Sequence, residues 1–135
     1  MTRFTEFELE YLASPGRLGR LATVDADGAP QNSPVGHRYN PDTGTIDIYG
    51  HQMGASRKFR NLATNDRVAL VVDDLASMQP WTVRGMEIRG RAEALTDQPV
   101  PAGLSAEVIR IHPELVFTWG VDPGAPGMQS RRVGG

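Results

Sequence analysis

Cysteine is absent from this 135-residue chain, which removes disulfide frameworks, thiolate metal sites, iron–sulfur clusters and cysteine nucleophiles at once. Lysine is almost absent: Lys58 stands alone, and the rest of the 14 basic residues are arginine. No apolar run approaches the roughly 20 residues that a membrane helix needs, so no membrane partner is expected. The start, Met1-Thr2-Arg3-Phe4-Thr5-Glu6, carries no apolar secretory core and predicts a cytoplasmic protein. A formal net charge of −2 gives no general affinity for nucleic acid. Glycine-rich phosphate loops and the Gly-x-Ser-x-Gly elbow are missing. His37, His51 and His112 lie far apart without metal-ligand spacing, so each reads as a turn, surface or packing residue and no metal is expected. No acid–base pair stands out, and no residue is assigned a catalytic role.

What is present, 39% hydrophobic and 22% charged residues, describes a single domain over 1–135. Within 1–16, Thr5 and Glu8 form a capping box and Phe4 staples onto Leu9, which predicts a short N-terminal helix stopped by Ser14-Pro15-Gly16. Strands follow over Leu18–Val24, Ala29–Tyr39 and Thr45–Gly50, with Asp27-Gly28 closing a tight turn between the first two. Pro30 and Pro34 cannot donate to a ladder, so the second strand belongs at a sheet edge. Arg67–Val72 reads as a buried strand and Asp73–Pro80 as a solvated loop. Thr82–Leu95 alternates, with Met86, Ile88, Gly90, Ala92 and Ala94 facing one way. Glu107–His112 and Leu115–Gly120 form the last strands, or one bent strand, and Gly- and Pro-rich 122–135 reads as a flexible tail. Six or seven short strands and two minor helices predict a mainly β protein, more a small antiparallel barrel than a sandwich.

One segment carries chemistry. On a helix capped by Ser56, residues Phe59, Leu62 and Ala63 gather on one side, opposite Arg57, Arg60, Asn61 and Thr64, with Lys58 flanking. Arg57 and Lys58 in the first turn oppose the helix dipole at about a few tenths of a kcal/mol each. A bound phosphate would reverse that sign, because backbone N–H groups, a serine hydroxyl and two cations would cradle it. A solvated charged face accounts for the same spacing equally well.

The ordered set Leu18-Gly19-Arg20-Leu21-Ala22-Thr23-Val24, Asp27-Gly28-Ala29-Pro30, Ser56-Arg57-Lys58-x-x-Asn61-Leu62 and Arg67-Val68-Ala69 resembles the pyridoxamine 5'-phosphate oxidase-like split-barrel superfamily. More narrowly it is similar to the flavin/deazaflavin oxidoreductase B subgroup of F420-dependent enzymes. The likeness runs from about Arg17 to Leu95, with a weaker echo in Ile109–Pro113 and Thr118–Gly120. It implies a six-stranded antiparallel Greek-key split β-barrel of the FMN-binding type, homodimeric, with cofactor sites between the subunits. It implies an oxidoreductase that moves a hydride between coenzyme F420 and a small organic substrate; FMN, or a non-catalytic flavin-binding role, is the alternative. Its phosphate contacts fall on Ser56, Arg57, Lys58 and Asn61, and its ring contacts on Asn32, Ser33, Pro34, Val35, Gly50 and His51. Pro34 fits a ligand's approach because its edge lacks an N–H; shielding of the edge from other chains explains it as well. Trp119 reads as an anchor of the core or dimer interface, or as a wall of the cofactor groove. The C-terminal substrate-phosphate segment of true pyridoxamine-phosphate oxidases is missing, which argues against vitamin B6 oxidation.

Overall fold

The computed structural model describes residues 4–134, so Met1–Arg3 of the start read above lie outside the described residues. The first helix forms where its cap requires: α1 spans Glu6–Ala13, Thr5 Oγ1 accepts from the Glu8 amide, and Glu8 Oε1 accepts from the Thr5 amide. Eight strands follow: β1 (Gly19–Val24), β2 (Pro30–Val35), β3 (Arg38–Asn40), β4 (Thr45–Ile48), β5 (Arg67–Met78), β6 (Trp81–Leu95), β7 (Val108–Trp119) and β8 (Met128–Arg132). A 3-10 turn at Met53–Ala55 leads into α2, Arg57–Asn61.

All strands join one antiparallel sheet in the order β2-β1-β5-β6-β7-β4-β3, with β8 paired to the side of β7. The mainly β split-barrel expectation holds; among the described residues there are eight strands rather than six. Gly36 and His37 break the long second strand into β2 and β3, and the supposed tail supplies β8. β2 is the first strand on the path, where its prolines require it. The hydrogen-bonded path does not close, but only two residues separate β2 from β3, its two ends. Leu21, Ile46, Leu70, Ile88 and Ile111 are wholly buried and put β1, β4, β5, β6 and β7 around one core.

Two expectations are corrected, and one open alternative is decided. Residues Asp73–Met78 are not a loop: they pair with Trp81–Gly85 and extend the β5–β6 ribbon. Alternation is lost there because the ribbon is exposed on both faces, with Leu75, Met78, Trp81 and Val83 all open to solvent. Of the two readings of the closing segment, the single bent strand is the one found, with a register shift opposite Arg89 and Gly90. Glu114 is the extra residue, so β7 buries Ile109, Ile111 and Pro113 before it but Val116 and Thr118 after it. Finally, 128–132 is not a loose tail: β8 pairs with Leu115–Trp119, and Arg131 holds the Glu8 carboxylate at 2.7 and 2.5 Å.

Asp74, read as solvated, is instead a junction. It accepts from Arg84 at 2.8 and 2.9 Å, from Arg17 at 3.3 Å and from the Tyr11 hydroxyl at 2.7 Å. Hydrogen bonds from Arg84 first, then from Tyr11 and Arg17, hold its carboxyl well below the usual carboxylate range. Burial and the adjacent Asp74 push the Tyr11 phenol above its ordinary value. A depressed carboxyl stabilises the fold above its unfolded pKa and loses that contribution as pH falls through and below it. Thermal melts should therefore drop more steeply below about pH 4, and Asp74→Asn should flatten that acid limb. An unchanged limb in the variant would remove Asp74 as its cause.

Candidate functional site

The β1–β2 turn is built by Asp25, whose Oδ1 accepts from the Asp27 and Ala29 amides at 2.9 Å each. Gly28 completes the turn at φ +84°, where a side chain is strained. Facing this hairpin is α2. Ser56 caps it, accepting from the Phe59 amide at 3.4 Å and donating to the Met53 carbonyl at 2.6 Å. Asn61 fastens the helix to the sheet: its Nδ2 donates to Thr23 Oγ1 at 3.0 Å and to Gln31 Oε1 at 2.9 Å. Leu62 is buried beneath and Phe59 half-buried, whereas Ala63 is exposed rather than docked.

Between hairpin and helix lies a groove of about 620 Å³. Arg57, Arg60, Asn61 and Thr64 form one wall, and the turn from Asp25 through Gln31 forms the other. Among the described residues, Arg57, Lys58 and Arg60 have no carboxylate within 4.0 Å. By contrast Arg17, Arg84, Arg89, Arg91, Arg110 and Arg131 are all paired. Three cations on one five-residue helix thus repel one another, and Asp25 and Asp27 on the opposite wall stand too far away to form an ion pair with them. The helix is so short that Lys58 and Arg60 also occupy its last turn, so the dipole penalty expected for a first turn has little weight here. Mutual repulsion and an open groove carry the anion argument instead.

The segment leading into α2 is pinned by the residues just before β7. Ser105 Oγ accepts from the Met53 amide and donates to the Gly50 carbonyl, both at 3.0 Å. Glu107 Oε1 accepts from the Gly54 amide at 3.2 Å, and a side chain at Gly54 would meet that carboxylate at 3.1–3.2 Å. These tethers were not legible: nothing local marks Ser105 or Glu107, which act across more than 50 residues.

The expected contacts separate into groups. Arg57 and Asn61 wall the groove together; Lys58 and Ser56 lie beside it, the serine hydroxyl engaged as a cap. Along β2, Asn32 and Pro34 are exposed, Ser33 is half-buried and Val35 is buried. Strand alternation therefore divides the four between two faces. Gly50 is held by Ser105, His51 is exposed in the following turn, and Trp119 lays its ring over Gly85. Sequence reading missed Gln31, which meets Asn61, and a second cavity walled by Arg17, His37 and Arg38. The Gly36–His37 break is the one local sign of that cavity.

Residues 7–133 match the family described as pyridoxamine 5'-phosphate oxidase. A Streptomyces rimosus protein named 5a,11a-dehydrotetracycline/5a,11a-dehydrooxytetracycline reductase is 48% identical over 126 residues, 88% of this chain and 84% of that one. Among solved structures, an F420 reductase superposes with a TM-score of 0.64 at 23% identity, over 84% of this chain and 98% of the other. A heme binding protein from Mycobacterium smegmatis gives a TM-score of 0.67 at 19% identity over 98% of this chain. The match spans 60% of that longer protein. At such identities these two structures speak to fold alone.

Proposed function

Since the chain belongs to the pyridoxamine 5'-phosphate oxidase family and is an oxidoreductase rather than a true pyridoxamine-phosphate oxidase, we propose that it uses coenzyme F420 to reduce a small conjugated organic acceptor. The observation that carries this reading is the trio Arg57, Lys58 and Arg60, without an ion pair among the described residues and beside a groove open to a ligand. A phosphate diester fits them chemically, since each guanidinium can offer two parallel N–H donors. The S. rimosus relative, named as a reductase of dehydrotetracyclines, supports reduction of a ring-conjugated double bond. The structure named F420 reductase shares the fold.

Held by Arg57 and Arg60, reduced F420 would supply the hydride equivalent for the acceptor double bond, with solvent as the source of the balancing proton. The chain's own residues bind and orient. Arg57 and Arg60 would hold the phosphate, Asn61 and its partner Gln31 would fix the wall behind it, and Ser105 with Glu107 would keep the approach to α2 in place. Asn32 and Pro34 offer the exposed face of β2 to a ring; Ser33, Val35, Gly50, His51 and Trp119 complete the expected contacts.

In this reading two copies associate with the cofactor between them, and the protein works in the cytoplasm. The exposed strip of Leu75, Met78, Trp81 and Val83 is surface that such an association would cover. Among the described residues no helix is long and apolar enough to cross a membrane.

Titration of the purified protein with F420 and with FMN, followed by turnover of reduced cofactor on enone acceptors, tests the proposal. Saturable F420 binding with acceptor-dependent oxidation is expected, on a species that sediments as a dimer. Tight FMN with no F420 binding would transfer the reading to flavin; binding without turnover would leave a carrier; neither would end it.

A further inference from the structure

Strand β2 links two cavities. Pro30 and Gln31 at its start wall the groove facing α2, and His37, two residues beyond its last, walls a second cavity of about 630 Å³. Six strand residues span on the order of 20 Å, so the exposed Asn32 and Pro34 lie between the two.

The second cavity is unlike the first. Leu9, Leu12 and Pro15 line one side and Tyr39 and Pro41 another, and no Asp or Glu is among its walls. His37 adds bulk without charge. Among the described residues neither of its ring nitrogens has a partner within hydrogen-bond geometry, both are shut from solvent, and burial pushes its pKa down. Two cations reach the cavity. Arg17 is already paired with Asp74 at 3.3 Å, whereas exposed Arg38 has no carboxylate within 4.0 Å among the described residues. Apolar walls, a drug-sized volume and one uncompensated cation at the rim define the complementary ligand.

We propose that this cavity receives the electron acceptor, and that the acceptor is an apolar ring-fused compound whose ionised enol or phenol oxygen faces Arg38. The assignment rests on the reductase reading above. It makes Arg38 and the α1 surface the determinants of which acceptor is taken, separate from the cations that hold the cofactor. Substrate choice and cofactor choice then reside at opposite ends of one strand.

Tetracycline, which is ring-fused and bears ionisable enols, serves as the probe, with binding read by titration calorimetry on the full chain. Ala13 is exposed at the cavity wall, so Ala13→Trp fills the space without removing a core contact. Its dissociation constant for the probe should rise at least about tenfold, and that of Arg38→Gln by about three- to tenfold, as for loss of one ordinary hydrogen bond at an exposed rim. Lys58→Gln should leave probe affinity unchanged while weakening F420. Circular dichroism melts of each variant confirm that the fold is retained. Wild-type affinity in Ala13→Trp, equal loss in Lys58→Gln, or no probe binding by the parent protein would each overturn the assignment. None of these would touch the cofactor reading, which stands or falls on F420 titration.

Discussion

Asp47→Ala is expected to destabilise the fold by about 3–5 kcal/mol, the scale for breaking a buried charge network by removing one partner. Asp47 is 1% exposed at the centre of β4. Its carboxylate accepts from Arg110 at 3.0 and 3.1 Å, from the Thr45 hydroxyl at 3.0 Å and from Asn40 Nδ2 at 3.1 Å. Truncation strands all three donors in a place water reaches poorly, and Thr45 is wholly buried. Against the usual total of about 5–15 kcal/mol, such a loss removes a large share of stability. Asp47→Asn keeps an acceptor and should cost less. Urea denaturation followed by far-ultraviolet circular dichroism reads both; a shift under about 1 kcal/mol for alanine would mean the donors find other partners.

The second large effect concerns binding. Replacing Arg57, Lys58 and Arg60 together by alanine should raise the F420 dissociation constant by about two to three orders of magnitude, through loss of charge-assisted phosphate contacts. FMN affinity should fall in parallel, since both cofactors present phosphate next to a polyol chain. The denaturation midpoint should stay at or above wild type, because among the described residues none of the three side chains makes an ion pair and their mutual repulsion is removed. Unaltered cofactor affinity in a folded triple variant would place the phosphate elsewhere.

The sheet was legible where one face is buried. Met86, Ile88 and Gly90 alternate with Glu87 and Arg89, and the capping box over Thr5 and Glu8 marked α1. Legibility failed where two-residue alternation fails physically. Asp73–Met78 has no buried face to alternate with, and Glu114 slips the parity of β7 so that one strand resembles two. β8 was hidden because Met128–Ser130 are exposed and its tie to α1 is an ion pair 123 residues apart in sequence. The cluster on α2 was visible as a run of cations. That those cations would find no internal carboxylate while most other arginines did is a property of tertiary neighbours, and no spacing announces it.

The prolines of β2 have one more consequence. Pro30 and Pro34 share parity with Asn32, opposite Val24, Arg20 and Ala22 of β1. Residues of that parity turn their backbone groups away from β1 if the prolines are not to break the ladder. The outer margin of β2 then presents three carbonyl oxygens but a single amide hydrogen, that of Asn32. An incoming strand needs both in alternation and finds the pattern broken. A slender chain of hydroxyl groups needs only acceptors, and this margin supplies them in a row.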